Sequence, residues 1–230
     1  MAGLFIVLEG GEGSGKTTQA RLLYSRLLAE GHAPLLLHEP GGTPLGEQVR
    51  RLLMAERGSH PGMEPVTELL LFSAARAELV SKVLRPALDG GRAVVCDRFT
   101  PSTIAYQGYG RGIPLSTIHT LNRLATGGLA SDLTVLLDIP PEEALTRVSA
   151  QRSLLVEGQG EASGHSGRQD QEGLRRFEQE PLAFQRKVRQ GYLKQAKADP
   201  ARWLVVDGSL PSERIGEVVW ERVKGLLSKA

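Results

Sequence analysis

The sequence predicts an α/β protein, a parallel five-stranded sheet with helices on both faces. Three observations carry that expectation. Short apolar runs alternate with longer amphipathic stretches along the whole chain. The first run leads straight into a glycine-rich turn and then a helical pattern. The length of 230 residues, 40% of them hydrophobic, suits one core of this kind, or one domain with a small insert.

The strands are taken first. Leu4–Leu8, Leu35–Leu37, Ala93–Cys96, Leu133–Leu137 and Trp203–Val206 are brief and rich in Val, Leu and Ile. Continuous apolar runs of this length read as strands buried on both faces. The helices lie between them: Thr17–Ala29, Leu45–Met54, Val66–Leu88, Leu115–Ala125, Glu142–Ala150 and Leu174–Ala198, with Ser212–Leu227 closing the chain. Strand–helix alternation implies right-handed crossovers, which put helices on both sides of a parallel sheet.

Bulk properties exclude several classes. A net charge of +2 is too small to argue for nucleic acid or a membrane surface. A single cysteine, Cys96, rules out an intramolecular disulfide and a thiolate zinc cluster. No stretch approaches the ~20 apolar residues that a spanning helix needs, and the run at Leu4–Leu8 is too short for a signal core. The expectation is a soluble, cytoplasmic protein.

The glycine-rich turn carries the first chemistry. Gly10, Gly11, Glu12, Gly13, Ser14, Gly15, Lys16 and Thr17 fit G-x-x-x-x-G-K-[ST], with a strand before and a helix after. Glycines let the backbone aim successive N–H groups at a β-phosphate, and the helix N-terminus adds partial positive charge. Lys16 suits the β/γ oxygens and the Thr17 hydroxyl suits Mg²⁺. The motif does not by itself separate kinases from GTPases or motor ATPases. A guanine-reading N-K-x-D is excluded, because the only asparagine, Asn122, precedes Arg123 and Leu124.

Further clusters sit where an acceptor site would need them. Glu39-Pro40-Gly41-Gly42-Thr43-Pro44 follows the second strand. Asp97-Arg98 ends the third, and Ser102-Thr103-Ile104-Ala105-Tyr106-Gln107-Gly108 comes after it. Phe72 and Arg76, four residues apart, share one helical face. Ligands of open parallel sheets bind at the carboxyl ends of the strands, so these residues converge on one crevice. Glu9 follows a buried run, where an unpaired charge would be costly.

Together these stretches resemble the thymidylate kinase family: F-I-V-L-E-G-x-E-G-x-G-K-T-T-Q, H-E-P-G-G-T-P-L-G-E and D-R-F-x-x-S-T-x-A-Y-Q-G. The likeness continues through L-L-D-I-P-P-E-E-A-L-x-R at 136–147 and R-F-E-Q-E at 176–180. The resemblance implies a single P-loop kinase domain over 1–230 that binds ATP, Mg²⁺ and dTMP and forms a homodimer through helices including Val66–Leu88. It implies ATP contacts from the phosphate loop with Thr18 and Arg147, and Mg²⁺ ligation by Thr17 and Asp97. For dTMP it implies Phe72 stacked on the base, Arg76 donating to O4, and Arg50 and Arg98 on the acceptor phosphate. Gln107 would pair with the base edge, with Ser102 of the same turn also at the dTMP site. Tyr106 would line the 2′ side of the sugar, and Glu9 the 3′-hydroxyl or a magnesium water. Lys16, Asp97 and Arg98 would be catalytic.

One stretch breaks the alternation. Residues 159–173 read QGEASGHSGRQDQEG and cannot bury a core face. It reads as a solvated loop or as a mobile lid, about 151–173. Glu12 in the phosphate loop resembles relatives that supply a catalytic arginine from the lid, here Arg168 first, then Arg152. The lid departs from the family pattern at Ser149, Gln151 and Arg175. Two other readings stay open, a kinase for another nucleoside monophosphate and an ATP-binding P-loop protein that transfers nothing.

Overall fold

The computed structural model describes residues 3–54, 63–157, 177 and 180–228, the backbone alone for 150–157. Five parallel strands form one sheet: β1 (Phe5–Gly10), β2 (Leu35–His38), β3 (Val94–Asp97), β4 (Leu133–Asp138) and β5 (Trp203–Asp207). Their order is β2-β3-β1-β4-β5. β1 lies between β3 and β4, with Leu8 opposite Asp97 on one side and Glu9 opposite Leu136 on the other. The connections leave β1 in opposite directions, so a crevice opens at its carboxyl end.

The alternation of side chains along β1 divides the core. Ile6 and Leu8 face a cluster with Leu23 and Leu27 of α1 (Lys16–Ala29) and Val219 and Val223 of α9 (Ser212–Leu227). Phe5 and Val7 face Leu79 and Leu84 across the sheet. Leu79 ends α3 (Pro65–Leu79) and Leu84 ends a π-helical turn at Val80–Leu84, which α4 (Arg85–Asp89) follows. The sequence suggests one uninterrupted helix here. The interruption has a local cause: Pro86 lacks an N–H for the regular ladder, and its ring clashes with the carbonyl four residues earlier.

The remaining helices are α2 (Pro44–Met54), α5 (Thr100–Thr103), α6 (Leu115–Thr126), α7 (Pro141–Glu157) and α8 (Leu182–Ala198). A second π-helical turn, Ile104–Gly110, follows α5 and packs closely on α8. A Cβ on Gly191 would meet the Tyr109 ring at 2.6 Å, so glycine permits that approach. The aromatic cluster of Tyr106, Phe177, Phe184 and Tyr192 fills the space between them. The insert expected at 151–173, with Arg168, lies outside the described residues except for the backbone of α7 to Glu157. Arg152 is on that backbone, its side chain undescribed. Among the described residues no helix is long and apolar enough to cross a membrane.

Candidate active site

The turn after β1 wraps back on itself before α1. Gly13 and Gly15 have φ of 72° and 87°, left-handed values that glycine adopts without penalty. A Cβ at Gly13 would lie 2.6 Å from the Ala144 carbonyl of α7, so the loop is also pressed against its neighbour. Lys16 folds back to donate to the Gly11 carbonyl at 3.1 Å. Burial and the nearby Arg98 hold its ammonium below the ordinary lysine range, despite Glu12 and Asp97. Thr17 and Thr18 stand exposed at the start of α1.

The Thr17 hydroxyl donates to Asp97 Oδ2, while the buried Asp97 Oδ1 has no partner among the described residues. A hydroxyl and a carboxylate with a spare oxygen suit Mg²⁺ that takes its other ligands from water and phosphate. Among the described residues no cluster of three or more His, Cys, Asp or Glu could cage an ion by itself.

Arg98 follows β3 with φ of 72°, a strained conformation for a residue with a side chain. Its neighbours impose it. Arg98 N–H donates to the Leu8 carbonyl at 3.0 Å, and Glu9 Oε1 accepts from the N–H groups of Phe99 and Ser102 at 2.9 and 3.2 Å. Glu9 Oε2 accepts from the Ser102 and Tyr192 hydroxyls at 2.7 and 2.8 Å. A carboxylate offers about four acceptor sites, and here all are filled within the chain. Glu9 lies inside β1 rather than after it and is fully buried, and these bonds hold the turn that carries Arg98. Burial raises its pKa above 4.5, against the pull of Arg98 and of these donors.

The Arg98 guanidinium lies over the Tyr106 ring, 5.0 Å from its centre. Nη1 donates to the Gly10 carbonyl, Ser102 Oγ and Tyr192 OH at 3.2, 3.0 and 3.1 Å. Nη2 reaches Glu12 Oε1 at 2.6 Å, and the Tyr106 hydroxyl donates to the same oxygen at 2.8 Å. Glu12 Oε2 is 3.8 Å from Lys16 Nζ. Burial alone would raise the Glu12 pKa, but Arg98, Lys16 and Tyr106 together hold it below 4.5.

Arg76 is 1% exposed. It donates to Glu39 Oε2 from Nε, to Asn122 Oδ1 from Nη1 and to Thr103 Oγ1 from Nη2, at 2.8, 2.8 and 2.9 Å. Phe72, one turn earlier in α3, is half-buried, its ring 6.2 Å from that of Phe177. Gln107 gives its amide N–H to Glu68 Oε1 at 2.7 Å. Glu68 also takes Arg111, which bridges to Glu180 at 2.8 Å. Arg50 donates to the Pro40 carbonyl at 3.0 Å. Arg147 donates to the carbonyls of Gly208 and Ser209 after β5, at 2.6 and 3.1 Å.

The structure thus gathers Lys16, Glu12, Asp97, Arg98, Ser102 and Tyr106 at the end of β1, with Arg76 bonded to the same turn through Thr103. Arg147 is bonded to the loop after β5, on the helix α7 that packs against Gly13 of the phosphate loop. Sequence reasoning missed Tyr192, which is 183 residues from the Glu9 it binds, and nothing local signals it. It also missed Asn122, Glu39 and Thr103 as partners of Arg76, although a lone asparagine in an apolar helix was a visible signal.

A family model described as thymidylate kinase matches residues 8–219. Thymidylate kinases of Thermomicrobium roseum and Deinococcus radiodurans are each 44% identical, over 98% and 96% of this chain and 96% of each relative. That of Syntrophotalea carbinolica is 45% identical over 94% of this chain and 93% of its own. The crystal structure of thymidylate kinase from Ehrlichia chaffeensis superposes with a TM-score of 0.71 at 32% identity, covering 97% of this chain and 99% of that one. With the parallel sheet, the phosphate loop and the paired cations at the end of β1, these likenesses have one reading: the chain belongs to the thymidylate kinase family.

Proposed function

We propose that the chain transfers the γ-phosphoryl group of ATP to dTMP, giving ADP and dTDP. The observation that supports this most directly is that a donor-site cation and an acceptor-site cation share one anion. Lys16 and Arg98 lie 3.8 and 2.6 Å from the two oxygens of Glu12. A phosphoryl group moving between the two sites would pass between those cations.

The chemistry asks for little beyond charge and alignment. An oxygen of the acceptor 5′-phosphate forms a bond to the γ-phosphorus as the bond to the β–γ bridging oxygen breaks. The attacking oxygen is already anionic, so no general base is needed. Charge spreads over the γ oxygens in the transition state. Lys16 and the loop N–H groups stabilise it from the donor side, Arg98 and Arg50 from the acceptor side. Thr17 and Asp97 would hold Mg²⁺, which supplies further neutralisation of the phosphates. Arg76 has one Nη1 N–H left for the carbonyl at C4 of thymine. Phe72 supplies a stacking face, Tyr106 a wall beside C2′, and Gln107 its amide carbonyl for N3–H.

We extend the reading to the lid, in which Arg168, then Arg152, completes the charge clamp. Arg168→Ala is expected to lower kcat more than dTMP affinity, and the reverse pattern removes it from catalysis. A cytoplasmic homodimer completes the proposal. Leu45 and Leu52 of α2, Val66 and Leu70 of α3 and Leu124 of α6 are exposed on helices that pack in that order, and a second copy would cover them. Light scattering in solution tests this; a monomer at micromolar concentration overturns it.

The main test is ADP release with ATP, Mg²⁺ and a panel of monophosphates. dTMP is expected to stimulate far above dCMP, dGMP or AMP. Equal stimulation by AMP overturns the thymidylate reading and leaves a kinase intact.

A further inference from the structure

Arg76 is a buried guanidinium with five N–H donors, and its neighbours leave little of it free. Nε donates to Glu39 Oε2, which also lies 2.8 Å from Nη2, and Nη2 further reaches the Phe99 carbonyl at 3.2 Å and Thr103 Oγ1 at 2.9 Å. That edge is held from the loop after β2 and from the turn after β3. The remaining corner, Nη1, has a single partner among the described residues, Asn122 Oδ1 at 2.8 Å. One of its two N–H bonds is therefore committed and the other is not.

The Asn122 amide has only one chemically sensible orientation. A guanidinium only donates, so the amide must turn its oxygen to Nη1. Its Nδ2 then faces away, and Nδ2 is buried with no partner among the described residues. Glu39 Oε1, on the other side of Arg76, is buried and unpartnered in the same way. Buried polar atoms without partners are costly and rare. Two of them around one arginine indicate that its neighbours are arranged for Arg76 rather than for their own bonding. Asn122 comes from α6, which packs across α3, so the Nη1 corner is held from a different helix than the one that carries Arg76.

We propose that Asn122 is a specificity-positioning residue: it pins Nη1 of Arg76 so that one N–H is aimed at the C4 carbonyl and opposes a 4-amino group. The proposal rests on the reading of Arg76 as the donor to thymine O4. With Asn122 gone, only the Nε and Nη2 edge stays held, by Glu39, Phe99 and Thr103; the guanidinium can tilt about that edge, and Nη1 shifts off an amino group it otherwise meets head-on. Discrimination at C4 then falls, while discrimination at C5 does not.

The test measures kcat/KM for dTMP, dCMP and dUMP in Asn122→Ala, Asn122→Ser, Asn122→Asp and Arg76→Ala. The dTMP/dCMP ratio should narrow about tenfold in Asn122→Ala, the scale of one hydrogen bond to a charged group. The dTMP/dUMP ratio should hold, because both bases carry the C4 carbonyl. Asn122→Asp keeps an acceptor at Nη1 and should restore the dTMP/dCMP ratio toward that of the wild type. Asn122→Ser withdraws the oxygen while leaving a smaller hole, and serves if Asn122→Ala does not fold. A purely structural asparagine would lower activity on all three substrates together. If Arg76→Ala narrows the dTMP/dCMP ratio and neither Asn122→Ala nor Asn122→Ser does, the proposal is overturned and the Arg76 reading stands. If Arg76→Ala leaves that ratio unchanged, the placement of the base is wrong and the proposal falls with it.

Discussion

Replacing Glu12 by Gln tests how the two cations are held before substrates arrive. The Glu12 carboxylate accepts from Arg98 and Tyr106 and lies near Lys16. Its side chain and that of Arg98 are 8% and 13% exposed, so solvent screens the pair little. Removing one partner from a buried ion pair costs about 3–5 kcal/mol. Gln keeps one acceptor oxygen and is nearly isosteric, which places the expected loss lower, at about 2–3 kcal/mol. For a chain of this size each kcal/mol moves Tm by roughly 2–4 °C, so the ligand-free variant should melt roughly 4–12 °C below the wild type. A non-hydrolysable ATP analogue with dTMP supplies phosphate oxygens to Lys16 and Arg98. The gap should then shrink to about 2 °C, because the variant gains anions where the wild type exchanges one anion for others. Scanning calorimetry of both proteins, with and without the two ligands, measures this. Equal ligand-free Tm values, or a gap that the ligands leave intact, would refute the idea that Glu12 stands in for phosphate.

Arg76→Ala should reduce kcat/KM for dTMP by about 2–4 kcal/mol and narrow the dTMP/dCMP ratio, while Phe72→Ala weakens both nucleotides alike, since stacking tolerates base identity; steady-state kinetics on both substrates decides. Tyr192→Phe removes a donor from Glu9 Oε2 and an acceptor from Arg98 Nη1; it should cost about 1–3 kcal/mol in thermal unfolding and lower kcat with KM for ATP unchanged. The pairing of Glu12 also predicts a pH dependence. Its folded pKa is below the ordinary 4.5, so the stabilisation is complete above pH 4.5 and is lost as pH falls through the lower folded value. The Tm difference between wild type and Glu12→Gln should therefore shrink below pH 4.5. A difference that grows on acidification contradicts the sign.

The sheet was legible because its strands are buried on both faces and read as unbroken apolar runs. Their carboxyl ends were not. Reading stopped at the last apolar residue, yet pairing continues through Glu9 and Gly10, His38, Asp97, Asp138 and Asp207. Most of those terminal residues are polar, so apolar runs do not record them, although Asp97 among them meets the Thr17 hydroxyl of the phosphate loop. The long helix ending at Leu88 was read without its π-helical turn, since hydrophobic spacing records a buried face and not the local ladder around Pro86. Residues of the phosphate loop were legible from type and spacing, and those of the D-R…A-Y-Q-G stretch only through the family resemblance. Their supports came from elsewhere in the chain, and a contact such as Glu9 to Tyr192 leaves no local pattern.

That division has a physical cause in the turn after β3. Arg98 reaches Glu12 of the phosphate loop because the backbone reverses directly after a buried strand, and the reversal places it at φ of 72°. Such a conformation costs about 1–3 kcal/mol and persists only where surrounding bonds over-determine it. Glu9 supplies two of those bonds from β1 to the N–H groups of Phe99 and Ser102, Ser102 returns one through its hydroxyl, and Tyr192 ties the arrangement to α8. Burying a carboxylate there raises its pKa, so the support is itself expensive, and it is affordable only because four donors converge on it. The strain at Arg98 and the burial of Glu9 are therefore two halves of one device, and weakening either should release the other. Tyr192→Phe, at a residue 94 positions from Arg98 in sequence, is therefore expected to act on transfer through the direction in which Arg98 points.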